Sequence, residues 1–428
     1  MEEILLLVDN LWVAIGALLV FMMLGGFILL EAGSCRMKNA GHISWKTIVT
    51  ASIGTLVFWI CGYGFIYGEG NGFIGLSNFF YGDTTTAGEA RGLTPAVDFS
   101  FQVMFALVSL TIAFGGFVER AKLSVYVIFS VIFSAIIYPI VAHWIWGGGW
   151  LADIGKQDFA GSTVVHLTGA MAALAGTIIL KPRIGKFNPD GKSTNLAGHN
   201  QVYTSLGVLL LWFGWFGFNG ASTFGVQDGF FGFVILNTQL AAAAGAVTAM
   251  TTIWLKTGKV DIPTTLNGAL AGLVAITASC GFVAPWAAVI IGLIGGGLVV
   301  FSMAFFETMK IDDPISALSV HGTVGIWGTL SNGIFALPEL SSAIGHGQAG
   351  ILYGGGFTQL GVQTLGVVAS GLFAFIVSYG VLKIMDLLLG GLRVTEEEEL
   401  LGLDISEHGS YGYPEQMTLF NRPKSSAS

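Results

Sequence analysis

The chain is a succession of apolar runs, each about as long as a lipid bilayer is thick, and this repetition restricts its fold more than any single motif. A helix rises about 1.5 Å per residue, so about 20 apolar residues cross a hydrocarbon core of roughly 30 Å. Runs of that kind, parted by polar clusters, fall near 9–31, 45–67, 98–118, 124–146, 160–180, 202–220, 230–255, 263–282, 286–306, 314–336 and 359–389. The eighth and ninth are joined only by the short turn Gly281 to Pro285. Composition agrees with an integral membrane protein. Residues are 53% hydrophobic and 10% charged, where an ordinary soluble domain carries about 25% charged residues.

The 62 glycines suit close helix packing, because small residues let helix backbones approach. A net charge of −8 speaks against nucleic acid, which needs a basic surface. Cys35, Cys61 and Cys280 give neither a disulfide framework nor metal-type spacing. A cleaved signal peptide would begin with positive charge, whereas this chain begins Met1-Glu2-Glu3, so the first run is expected to remain as a span.

Lys and Arg set the orientation. With eleven spans and the N-terminus outside, every Lys and Arg except Arg91 and Lys156 falls on the inner side. An early miscount would swap the later loops, so the expectation is N-out, C-in. Residues 1–390 form the transmembrane domain and 391–428 a cytoplasmic tail that carries half of the net negative charge. The outer loop 68–97 reads as a turn-filled cap.

An ionisable residue deep in a span marks a functional site by default. His166 and His321 stand out, each eight positions after an Asp (Asp158 and Asp313) and in spans of opposite direction. Eight residues place each roughly 12 Å in from its own face, near the midplane. The histidines are 155 residues apart, with five spans between the starts of their helices. Two inverted five-span halves, each delivering a midplane polar group, form a transporter pattern. The competing reading is two separate histidines, each bonded to a backbone carbonyl. Metal binding fits less well, because the pair lacks a nearby carboxylate or thiolate. The other histidines, His42, His143, His199, His346 and His408, read as structural.

Trp146, Trp150, Trp215, Phe218, Phe101 and Phe105 gather at outer span ends beside Ser222. Such rings serve equally as an interfacial belt or as a site where aromatic faces attract a small cation. Asp158, Asp312 and Asp313 read as helix N-caps, with Pro314 at an N1-like position.

Four blocks carry a resemblance over nearly the whole chain: DFAGSTVVH (158–166), WFGFNGAS (215–222), DDPISALSVHG (312–322) and the tail segment GLRVTEEEELLGLDISEHGSYGY (391–413). Together they closely resemble the ammonium transporter family, Amt/MEP/Rh, in that family's order. The resemblance implies an all-α fold of eleven helices with a pseudo-twofold relating spans 1–5 and 6–10, assembled as a homotrimer with one pore per subunit. It makes His166 and His321 the pore's twin histidines. Trp146, Phe105 and Ser222, with Trp215 nearby, become the ammonium-recruitment site, and Phe105 and Phe218 the gate. Asp158 supports recruitment by structural means.

Trp146 together with Ser222 is more like Amt than Rh. Ser162 departs from a common second glycine. The implied activity is uptake of ammonium, with methylammonium as analogue, across a prokaryotic plasma membrane, without a cofactor. The cation sheds its proton below the gate and passes as ammonia. The tail implies a PII-type signal protein as partner, although a run such as EEEELL (396–401) also reads as a solvated acidic helix start. A receptor that senses ammonium and signals through the tail is the alternative. An intramembrane enzyme is disfavoured, because the midplane carries no catalytic triad or multi-carboxylate set.

Overall fold

The computed structural model describes residues 2–83 and 92–416, so Arg91, Arg422 and Lys424 lie outside the described residues. Nine helices among them are long and apolar enough to cross a membrane: Glu3–Ser34, Met37–Tyr67, Pro95–Gly115, Leu123–Asp153, Ser162–Leu180, Gln201–Thr223, Gln227–Thr257, Pro285–Thr308 and Thr358–Leu388. The expected eighth span is the shorter helix Ile262–Thr277. The expected tenth is Leu318–Thr323 running into Val324–Phe335. These are spans 1 to 11 in chain order. The expected cap contains a two-stranded ribbon, Gly70–Asn71 paired with Ile74–Gly75.

Packing repeats across the two halves. Span 3 lies against span 5 as span 8 lies against span 10, and span 2 against span 4 as span 7 against span 9. Span 1 packs along span 6, joining the halves, and span 11 packs on spans 5 and 10. Spans 7, 8 and 9 meet through glycines. A Cβ on Gly272 would lie 2.1 Å from Ala241 O, and one on Gly296 would lie 2.2 Å from Gly245 O. Backbone oxygens cannot yield as a side chain can. Gly272→Ala is therefore expected to destabilise by about 1–3 kcal/mol, the usual overpacking range. A lowered thermal midpoint of the detergent-solubilised protein checks this.

Several boundaries differ from expectation, spans 1 and 2 starting earlier and span 4 ending later, and two of the differences bear on the site. Span 8 stops at Thr277, not near 282, because the loop before span 5 crosses to meet it. Phe159 N–H donates to Ala278 O and Ala160 N–H to Thr277 O, both at 3.0 Å. Ser162, the residue that departs from the motif, ties the same joint: its Oγ donates to Val274 O and accepts from Ala278 N–H, each at 2.8 Å. Span 10 begins at Leu318, not near 314, so Pro314 is not its first helical residue. Asp313 still caps it, accepting from Ala317 N–H and Leu318 N–H at 2.9 and 2.7 Å.

Asp312 does not cap. It forms an ion pair with Arg183, Oδ2 lying 2.8 Å from Nε. Arg183 also reaches Glu119 at 2.8 Å, and Glu119 accepts from Arg36 Nε at 3.0 Å. Arg120 Nη2 closes the set on Asp312 O at 2.9 Å. Burial raises both carboxylates, but the arginines prevail and hold Glu119 and Asp312 at about 2. A second buried pair, Lys46 with Glu31 at 2.6 Å, links spans 1 and 2.

The tail docks on this inner face. Glu399 is buried, accepts from Arg393 and takes Ile184 N–H at 2.8 Å. Asp404 accepts from His42 N–H at 2.8 Å and Gly412 N–H at 2.8 Å. The acidic run is thus a helix start with a Thr395–Glu398 capping box, and one of its acids is drawn into the protein. The histidines read as structural have partners: His42 meets His408 at 3.0 Å, His199 Nδ1 lies 3.0 Å from Cys35 O, and His143 Nδ1 lies 2.6 Å from Ile66 O.

Candidate functional site

The site is a column of rings descending from one face into the interior. Its mouth is a cavity of about 100 Å³ lined by Tyr67, Phe101, Gln102, Phe105, Trp146, Phe159, Ser222 and Phe224. Ser222 stands in the last turn of span 6, its Oγ donating to Phe218 O at 2.7 Å, which leaves the oxygen's lone pairs free to accept. Trp146 caps the helical segment Tyr138–Ile145 near the end of span 4, and its indole Nε1–H donates to Asp158 O at 2.8 Å. Phe105 meets Trp146 edge-on, with centroids 5.8 Å apart. Below, Phe105 and Phe218 lie 4.3 Å apart, tilted by 40°. Phe105 lines the cavity, and Phe218 packs against it.

His166 lies under Phe218, with centroids 5.7 Å apart and planes within 26°. His321 comes next, and the two Nδ1 atoms are 3.1 Å apart. Such a contact requires one ring to donate and the other to accept, so the pair shares one proton between them at these nitrogens. His166 is fully buried, and its Nε2 has no hydrogen-bond partner among the described residues.

Local structure puts the imidazoles there. Both segments, Ser162–Leu167 and Leu318–Thr323, are π-helical turns, which recur at functional sites in otherwise regular helices. Asp158 caps the first by accepting from Gly161, Thr163 and Val164 N–H at 3.0, 2.9 and 3.0 Å. Gly161 is needed for two reasons: its φ is +114°, and a Cβ there would lie 2.7 Å from Val165 Cγ2. The Asp158 and Asp313 caps are the same device in each half, and the two π-turns touch.

Of the residues expected at recruitment, Trp146, Phe105 and Ser222 line the cavity and Trp215 does not. Trp215 lies a turn deeper, stacked on His166 at 5.2 Å and 18°, with Nε1–H donating to Thr277 Oγ1 at 2.8 Å. It supports the imidazole against one ring face. Tyr67, Gln102, Phe159 and Phe224 were not anticipated. Gln102 had a readable signal: it stands three residues before Phe105 on span 3 and so shares its face.

An inverted-repeat helical membrane protein with an aromatic mouth leading to a buried histidine pair is the class that fold and site define. Comparison with known proteins narrows it: the sequence profile of the Ammonium Transporter Family matches residues 11–413. The ammonium transporter Amt2 of Archaeoglobus fulgidus is 40% identical, over 95% of this chain and 88% of that protein. The ammonium transporter of Bacillus subtilis is 36% identical, over 96% and 99%. Among solved structures, one described as a sensor Amt protein superposes with a TM-score of 0.89 at 39% identity, over 95% and 100% of the two chains. Candida albicans Mep2 gives 0.86 at 31%, over 97% and 92%. The chain belongs to the ammonium transporter family.

Proposed function

We propose that this protein takes up ammonium across the plasma membrane through one pore in each subunit of a homotrimer. The observation that carries the reading is the His166–His321 pair: two buried imidazoles in nitrogen-to-nitrogen contact at 3.1 Å directly beneath an aromatic gate. A bare cation entering a dry interior carries a desolvation penalty of several kcal/mol or more. The ring faces of Trp146 and Phe105 and the oxygen of Ser222 offset part of it at the mouth, where a monovalent cation fits. Below the Phe105–Phe218 gate the substrate passes as ammonia, leaving its proton behind. The unpartnered Nε2 of His166 offers the neutral molecule a hydrogen-bonding group, and the shared Nδ1 proton gives a separate proton a place to move.

Asp158 acts indirectly, by holding Trp146 and the His166 turn. Residues 1–390 carry the transport path and 391–428 regulate it from the cytoplasmic face, where a PII-type protein is the proposed partner. The likeness to a sensor Amt protein keeps a second reading in view, in which ammonium binding is signalled through the tail. Deleting 391–428 separates the two: signalling is lost with binding intact if the protein is a sensor.

Ser222→Leu tests the site. The side chain both removes the acceptor and intrudes into a cavity of about 100 Å³. Methylammonium uptake is expected to show an apparent affinity at least about tenfold weaker, equivalent to 1.4 kcal/mol. Unchanged uptake would remove Ser222 from the recruitment site.

A further inference from the structure

Lys156 stands in the loop between spans 4 and 5 and is fully buried. Its methylenes lie in a groove over Gly366 of span 11, where an added Cβ would come within 2.2 Å of Lys156 Cδ and Cε. The chain is thus shaped to house a long side chain there. Nζ ends 3.8 Å from Asp158 Oδ2 and has no hydrogen-bond partner among the described residues. The Asp158 carboxylate is already engaged by three backbone N–H groups. Ammonium and carboxylate therefore interact by charge, without a shared hydrogen bond.

The same Asp158 is built into the mouth. Its carbonyl holds the Trp146 indole, and the next residue, Phe159, lines the cavity. The titratable groups facing Lys156 are few. Asp158 comes from its own loop, His346 places Nε2 at 2.8 Å from Lys156 O, and Tyr138 of span 4 interacts by charge with Asp158. Span 11 presents Gly366 and no charge at this level.

We propose that Lys156 is a positioning residue of the outer site, whose charge beside Asp158 sets the affinity for a monovalent cation and whose proton leaves for the outer solution when that cation binds. This rests on the recruitment role proposed above for the mouth. One positive charge enters as one departs: the Lys156 ammonium becomes the neutral amine, and the incoming cation keeps its own proton at this stage. Burial pushes the Lys156 amine down, against the pull of Asp158, to about 8. Below that value the ammonium form offsets Asp158 and repels a cation at the mouth. Above it the carboxylate acts alone, so affinity rises with pH. Reciprocity then requires that a bound cation lower the lysine's proton affinity by the same factor. His346 is also lowered by burial, from an ordinary value already below that of Lys156, so the two titrations separate.

The experiment is calorimetric titration of the lipid-reconstituted full chain with methylammonium, in buffers of different ionisation enthalpy, between about pH 6.5 and about pH 9. Methylammonium remains protonated throughout, so its own titration does not intrude. Wild type is expected to bind about tenfold more tightly at the upper end, with proton release greatest near the Lys156 transition. Lys156→Met is expected to bind with a pH-independent affinity close to the wild-type high-pH value and to release no proton. Lys156→Gln serves if the Met variant does not fold. Binding by wild type that is independent of pH overturns the proposal, as does a pH dependence that survives in either variant. Absence of any binding by wild type overturns the recruitment reading itself, and binding without transport overturns uptake while leaving Lys156 its role.

Discussion

His166→Ala is expected to reduce saturable methylammonium uptake by well over tenfold while leaving a folded protein. The imidazole is enclosed by Phe218, Trp215 and His321, with ring centroids 5.7, 5.2 and 5.1 Å away. Its removal opens a cavity beneath the gate and leaves His321 Nδ1 without its partner. The buried unsatisfied group costs about 1–3 kcal/mol, enough to lower the thermal midpoint but not to unfold a protein of this size. Uptake suffers more, because the substrate loses the polar group stacked directly below Phe218. Two separate, purely structural histidines would give a different result: a lowered midpoint with uptake nearly intact. Radiolabelled uptake and thermal melting on the same preparation distinguish these outcomes.

Arg183→Ala is expected to be the most destabilising single change on the inner face, at about 3–5 kcal/mol, the range for breaking a buried ion pair by removing one partner. Arg183 bridges Glu119 and Asp312, both completely or almost completely buried. Truncation leaves Glu119 with Arg36, and Asp312 with Arg120 and the backbone N–H of residue 183. The pH dependence has a definite sign. Glu119 and Asp312 are held at about 2, below their ordinary 4.5 and 3.8. Their contribution is therefore fully present above those ordinary values and lost as pH falls through about 2. In Arg183→Ala burial has less opposition and both carboxylates rise, so the variant should lose stability at higher pH than wild type. Thermal midpoints measured against pH check both magnitude and direction. The tail should loosen too, since Ile184, the next residue, binds Glu399.

Much of this arrangement was legible in the sequence because bilayer thickness dictates span length. The histidine pair was legible for a related reason: ionisable groups are rare in apolar helices, and equal offsets from Asp158 and Asp313 pointed to one level for both rings, which meet at 3.1 Å. Other features leave no such trace. A π-turn at 162–167 or 318–323 does not change hydropathy, and the start of span 10 was set too early. Trp215 and Ser222 belong to one motif, but seven residues of helix separate them by roughly 10 Å in depth. Proximity in sequence therefore misplaced Trp215 at the mouth. Buried charges were hidden by the distance between partners: Arg183 meets Glu119 and Asp312 from three separate loops. Lys156 counted only as an exception to the charge bias until its groove over Gly366 was visible.

The most direct test of passage through a dry pore is a comparison of ammonium and potassium flux into liposomes containing the purified protein. Both are monovalent cations, but only ammonium can shed a proton and enter as a neutral molecule. Saturable ammonium flux, with no potassium flux above that of empty liposomes, is the expected result. Potassium flux comparable to that of ammonium would mean a hydrated cation pore, and would contradict deprotonation above the His166–His321 pair.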